Sequence, residues 1–109
     1  MTNDEGYHSL TPHEVAEVLE SGAEVFLIDI RPPRQFHQGH LPEAISLPAD
    51  DFADRYEREI NPDDSVILIC EKGLNSIAAA KFLISQDFTN VALLAGGMIA
   101  WREMQGESD

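Results

Sequence analysis

The chain has 109 residues, with 20 Asp and Glu against 7 Lys and Arg, a net charge of −13, and 43% hydrophobic content. That is the size of one ordinary domain with one core, and no stretch approaches the roughly 18 apolar residues of a membrane span. Scarce cations argue against nucleic acid and anionic membrane as partners, because phosphate binding depends on clustered Lys and Arg.

Met1 to Tyr7 is polar and acidic, without the basic start and apolar run of a secretory signal, so a cytoplasmic address is expected, with residues 1–6 flexible. Tyr7 to Leu10 reads as a short edge strand. Thr11 is placed as the N-cap of a helix to about Glu20, with Pro12 at its first position and Glu14 completing a capping box. Val15, Val18 and Leu19 supply its apolar face, and Ser21-Gly22 ends it. Val25 to Ile30 is apolar except at Asp29, the pattern of a strand covered on both faces of a parallel sheet. Pro32-Pro33 stops it, a short turn or helix spans Arg34 to Gln38, and another strand lies near Ala44 to Leu47. Asp50 or Asp51 is the expected cap of a helix down to Ile60, with Phe52, Tyr56 and Ile60 as its apolar stripe.

Val66 to Ile69 is the most apolar strand and belongs in the middle of the sheet, with Cys70 at its carboxyl end. A helix from Asn75 or Ser76 to Gln86 turns Ile77, Ala80, Leu83 and Ile84 toward the core. Val91 to Leu94 makes the last strand, Gly96-Gly97 breaks it, and Met98 to Met104 reads as a final helix with Trp101 inward, followed by a frayed tail over 105–109. Strands alternating with helices predict an α/β fold of three layers in one domain over 1–109. Its central sheet is mainly parallel, of about five strands, with helices on both faces.

In open α/β sheets ligands bind beyond the carboxyl ends of the strands. Asp29 and Arg31, Cys70, and Gly96-Gly97 all fall at such ends. Cys70 to Ser76 reads Cys-Glu-Lys-Gly-Leu-Asn-Ser, a short loop between strand and helix. Gly73 permits a turn with positive φ, so backbone N–H groups can face the sulfur while the following helix adds the positive end of its dipole. Such a cradle favours an anion, either the nucleophilic thiolate or a bound persulfide. The competing reading is a small hydrophobe buried at a strand end. As the single cysteine, Cys70 cannot form an internal disulfide, and His8, His13 and His37 lack metal-ligand spacing, so no metal site is expected.

The loop and its surroundings resemble the rhodanese family, thiosulfate or persulfide sulfurtransferases whose cysteine opens a short loop between strand and helix. Asp29-Ile30-Arg31 is similar to the family's Asp-x-Arg, Gly39-His40-Leu41-Pro42 to its Gly-His-Ile-Pro turn, and Ala44-Ile45 with Leu47-Pro48 to the segment after it. Gly96-Gly97-Met98-Ile99-Ala100-Trp101 matches its Gly-Gly-x-x-x-Trp signature. The resemblance implies that Cys70 accepts sulfane sulfur from a donor and passes it to a thiol or cyanide, with no organic cofactor and with a protein as a further possible donor or acceptor. It implies that Glu71, Lys72, Gly73, Leu74, Asn75 and Ser76 form the substrate loop, and that Asp29 and Arg31 brace it by ion pairing. Gly39 to Pro42 and Gly96 to Trp101 read as architectural, and His40 as making a backbone hydrogen bond rather than acting as a base.

Two departures bear on the substrate. Many active members carry Arg where this chain has Asn75, and Glu71 beside the cysteine is acidic, leaving Lys72 as the loop's only fixed positive charge. A thiosulfate dianion is the donor most affected; a persulfide or protein donor needs less charge. The competing functions are a non-catalytic rhodanese-like protein-binding module and a phosphatase of the cell-cycle dual-specificity type. The latter needs a loop one residue longer ending in Arg, where this chain has Ser76.

Overall fold

Five strands and five helices alternate along residues 6–106, the part of the chain that the computed structural model describes. They are β1 (His8–Leu10), α1 (Pro12–Glu20), β2 (Phe26–Asp29), α2 (Pro33–Gln38), β3 (Ile45–Ser46), α3 (Ala49–Glu59), β4 (Val66–Ile69), α4 (Asn75–Ser85), β5 (Val91–Leu94) and α5 (Gly97–Met104). The strands form one sheet in the order β1-β5-β4-β2-β3, and every neighbouring pair is parallel. Along the chain, β1 to β2 and β2 to β3 step one way across the sheet, and β3 to β4 and β4 to β5 step back. Right-handed crossovers therefore put α1 and α2 on one face and α3 and α4 on the other.

The two-residue period of a strand sorts the core by face. Ile28, Val66, Leu68, Val91 and Leu93 pack with Phe52, Tyr56 and Ile60 around α3 and with Ala80 and Leu83 of α4. Leu27, Ile67, Ile69, Ala92 and Leu94 pack with Val15 of α1 and with Met98 and Trp101 of α5. Strand β4 lies in the centre with all four residues buried, pairing Leu68 with both Ile28 and Leu93. This is the position that its unbroken apolar run implies.

Thr11 caps α1 as its sequence predicts: its side chain accepts from the Glu14 N–H at 3.1 Å while the Glu14 carboxylate accepts from the Thr11 N–H at 2.9 Å. Helix α3 departs from expectation. It starts at Ala49 with Pro48 in the cap position and no side-chain cap, so Asp50 and Asp51 lie inside the first turn. There they face the positive end of the helix dipole instead of accepting a capping bond. Helices α2 and α5 each begin one residue earlier than the pattern indicates, at Pro33 and Gly97. Phe26, at the start of β2, is 38% exposed although the strand reads as covered on both faces. The flexible ends expected at 1–6 and 105–109 fall largely on residues 1–5 and 107–109, outside the described residues.

Removing the cap and removing a central core side chain should differ measurably. Thr11→Ala is expected to cost about 1 kcal/mol and Leu68→Ala about 3 kcal/mol, read from urea unfolding with the slope unchanged; equal losses would contradict this ranking of cap and core.

Candidate active site

Cys70 follows β4, and its side chain is buried on the α3/α4 face of the sheet, in the core layer that includes Ile30 and Ala80. Its sulfur nevertheless has polar company. The Gly73 N–H donates to Sγ at 3.0 Å, and the Cys70 thiol donates to Ser76 Oγ at 3.4 Å, in the first turn of α4. Gly73 reaches inward because its φ is +86°, the left-handed region that costs glycine nothing. The buried Ser76 hydroxyl also lies 3.5 Å from the Gly73 carbonyl, and it can rotate to donate to a thiolate. The start of α4 adds positive potential at the same place. Among the described residues, Gly73 supplies the only backbone N–H hydrogen-bonded to this sulfur, so the cradle is narrower than a full ring of donors from Glu71 to Asn75. Lys72, Leu74 and Asn75 are exposed, Leu74 most of all at 67%.

The loop rests on the start of α5. The Met98 N–H donates to the Cys70 carbonyl at 2.9 Å and the Ile99 N–H to the Glu71 carbonyl at 3.1 Å. The first amides of a helix lack partners within it, and here the loop carbonyls take that role. The approach leaves no room for side chains: a Cβ on Gly97 would stand 2.5 Å from the Cys70 carbonyl oxygen, and one on Gly73 would stand 2.8 Å from the Gly96 nitrogen. Gly97 is thus explained by contact with the loop rather than by simple strand breaking, whereas a Cβ on Gly96 would stand 2.6 Å from Ala100 Cβ of α5.

Asp29 and Arg31 pair as the resemblance implies. Asp29 is fully buried and accepts from the Arg31 backbone N–H and Nε, each at 3.0 Å, and from Nη2 at 2.9 Å. Arg31 also donates to the Gly39 carbonyl at 2.7 Å and to Glu71 Oε1 at 3.3 Å, so it ties the turn after α2 to the loop. Burial pulls the Arg31 guanidinium down, but the hydrogen bonds and negative charge of Asp29 and then Glu71 outweigh it and hold it above its ordinary value. Arg102 of α5 completes the chain of charges by pairing with Glu71 Oε2. Nothing in the sequence marks Arg102 except that it is one of seven cations. Glu71 is therefore held between two guanidiniums, which offsets the acidity beside Cys70. His40 stacks on Phe36 with ring centroids 3.8 Å apart and donates from Nδ1 to the Phe36 carbonyl at 2.9 Å, the backbone role expected of it.

Two hollows flank this arrangement. A cleft of about 550 Å3 between α2 and α5 is lined by Arg31, Gln35, Glu71, Trp101 and Arg102; Cys70 does not line it. A smaller groove of about 200 Å3 lies between α3 and α4, lined by Ile30, Ala49, Phe52, Asn75, Ala78 and Phe82. It is on the same side of the sheet as the Cys70 side chain.

A family model described as a rhodanese-like domain matches residues 11–104. A thiosulfate sulfurtransferase, GlpE of Pseudomonas syringae, is 31% identical over 96 residues, covering 88% of each chain. The reduced CoADR-RHD of Bacillus anthracis shares the fold with a TM-score of 0.83 at 28% identity, over 95% of this chain and 18% of that longer one. A Rhodopseudomonas palustris protein of unknown function, described as a possible tyrosine phosphatase, superposes with a TM-score of 0.82 at 27% identity, over 91% of this chain and 82% of that one.

Two variants rank the charge contacts. Asp29→Asn leaves a buried guanidinium short of its counter-charge and is expected to cost about 3 kcal/mol, whereas Arg102→Ala, opening a partly exposed pair, should cost under about 1 kcal/mol. Guanidinium chloride unfolding of both checks this, and a larger loss from Arg102→Ala would reverse the account.

Proposed function

The chain belongs to the rhodanese family, and on that premise we propose that it is a sulfurtransferase carrying sulfane sulfur as a persulfide on Cys70. The observation that carries the reading is the Gly73 N–H aimed at Cys70 Sγ from 3.0 Å, beside the Ser76 hydroxyl and the start of α4. Donors fixed in place before reaction stabilise charge on sulfur without reorganising when it appears. A hydrocarbon-lined thiol would have none.

In the first step the Cys70 thiolate attacks the outer sulfur of the donor. With thiosulfate, the sulfur–sulfur bond breaks, sulfite leaves with the electron pair, and Cys70 holds the persulfide. In the second step a thiol, as thiolate, or cyanide attacks the terminal sulfur, and Cys70 departs as thiolate. Glu71, Lys72, Gly73, Leu74, Asn75 and Ser76 form the loop around these events, and Asp29 and Arg31 hold it. A reducing cytoplasm suits a protein whose chemistry uses one free thiol.

Charge limits the donor. Arg31 and Arg102 are engaged by Glu71, which leaves Lys72 as the loop's unengaged cation for a dianion. A persulfide donor, small or protein-borne, fits this loop better than thiosulfate.

One observation favours a second reading, a non-catalytic protein-binding module: Cys70 is only 2% exposed while Leu74 of the same loop stands out in solvent. Intact mass after treatment with a persulfide donor separates the two, because a sulfurtransferase gains one sulfur atom at Cys70 and a binding module does not. A phosphatase reading lacks the closing arginine, Ser76 standing in its place.

Cys70→Ser should abolish sulfur transfer and leave the unfolding curve in place; transfer at the parent rate would refute the assignment. Asn75→Arg should raise turnover with thiosulfate several-fold more than with an uncharged persulfide donor, as measured by kcat/KM for each; an equal change in both would remove the charge argument.

A further inference from the structure

We propose that Arg102 is a positioning residue that sets the charge preference of the Cys70 site, by holding the Glu71 carboxylate in the cleft between α2 and α5. This rests on the sulfurtransferase reading and concerns which donors that site takes. Neighbours along the loop, Cys70 and Glu71 face opposite ways. Cys70 packs in the core layer on the α3/α4 side, whereas the Glu71 side chain lines the α2/α5 cleft with Arg31, Trp101 and Arg102. The Ile99 N–H reaches the Glu71 carbonyl at 3.1 Å and the Arg102 guanidinium reaches its carboxylate. Both donors come from α5, so one helix fixes this residue at both ends.

The balance of charge shows why Arg102, and not Arg31, has this role. Asp29 is fully buried and accepts from Arg31 Nε at 3.0 Å and Nη2 at 2.9 Å, while Nη2 also donates to the Gly39 carbonyl at 2.7 Å. Only Nη1 remains for Glu71, at 3.3 Å. The positive charge of Arg31 is thus matched by a buried carboxylate, the pairing that burial of both groups demands. Arg102 makes the closer contact with Glu71, and the cleft lining contains no other acid. Two neutral pairs result, Asp29 with Arg31 and Glu71 with Arg102. Without Arg102, the residue bonded to Cys70 carries an unbalanced negative charge, held in the cleft by the 3.3 Å contact alone.

This arrangement ranks reactants by charge. One unit of charge acting through water over about 8 Å changes the rate for a monoanion about two- to threefold and for a dianion about fivefold, and leaves a neutral reactant nearly unaffected. Glu71→Gln leaves the Arg102 charge in excess, Arg102→Ala leaves the Glu71 charge in excess, and the double variant is balanced like the parent. Reaction with thiosulfate should therefore be fastest in Glu71→Gln and slowest in Arg102→Ala, with the parent and the double variant between them. A purely structural role for Arg102 gives a different order. Glu71→Gln weakens the remaining contact with Arg31 as well, so the double variant would then be no faster than Arg102→Ala.

The test follows sulfur gain on Cys70 by intact mass in a single turnover, with thiosulfate and with an uncharged persulfide as donors, in the full chain and its variants. Both substituted side chains are partly exposed, so the variants keep the core intact. Arg102→Ala is expected to slow loading from thiosulfate about fivefold relative to the uncharged donor, and adding Glu71→Gln should recover most of that loss. Arg102→Lys, which keeps the charge without the planar fork, should fall between Arg102→Ala and the parent. The spread among variants should collapse near about 1 M salt, where screening acts beyond about 3 Å. An unchanged donor ratio in Arg102→Ala, or no recovery in the double variant, overturns the proposal even if Cys70 takes up sulfur. Alkylation of Cys70 by iodoacetate and by iodoacetamide, an anion and its neutral counterpart, separates the two readings. If Cys70 never gains sulfur but the alkylation ratio follows the same order, the role of Arg102 stands and the sulfurtransferase reading falls. A thiol that reacts with neither pair of reagents overturns both.

Discussion

Everything at the carboxyl end of the sheet depends on how closely the Cys70 loop lies against the start of α5. Two loop carbonyls accept from Met98 and Ile99, and the backbones meet where glycine alone fits at positions 73 and 97. Hydrogen bonds of this kind are modest individually, but a buried carbonyl left without a donor costs about 1–3 kcal/mol. The contact therefore fixes the loop more by what its absence would cost than by its own strength. With Cys70 and Glu71 held through their carbonyls, Gly73 can turn its amide back to the sulfur, and Ser76 in the first turn of α4 can stand beside it.

Charge does the same work from the other side. The sequence Asp29, Arg31, Glu71, Arg102 alternates in sign from the buried end of β2 to the partly exposed surface of α5. Each guanidinium touches Glu71, so an acidic residue next to the cysteine acts as a hinge pin for the loop rather than as a repulsive charge over the sulfur. In a chain with 20 acidic residues and 7 basic ones, using two cations this way leaves few to attract an anionic donor. Association with such a donor should then strengthen with salt, as screening reduces the repulsive field beyond about 8 Å at physiological ionic strength.

Local signals were legible in the sequence and distant pairings were not. The capping box at Thr11, the apolar run of β4 and the positive-φ glycine in the loop are each decided by neighbours within a few residues, and all three stand in the structure as read. The Asp-x-Arg pair was legible only through the family resemblance. Arg102 was not visible because its partner lies 31 residues away, and no local rule connects them. The start of α3 was misread for a related reason: Pro48 follows β3 so closely that the chain enters the helix at once, with Ala49 donating to the Ile30 carbonyl at 3.0 Å. Tertiary contact, rather than a capping side chain, sets that boundary. The narrowness of the sulfur cradle was equally hidden, since composition shows which residues form a loop but not how many of its amides turn inward.

The sheet's borders have their own consequence. Its outermost strands, β1 and β3, are three and two residues long. Unpaired backbone along a border is a template on which another chain can add itself, and short borders offer little of it. A concentrated solution of this protein therefore has scant means to grow by ladder extension, and copies that meet must do so through side chains that are mostly of one sign and repel.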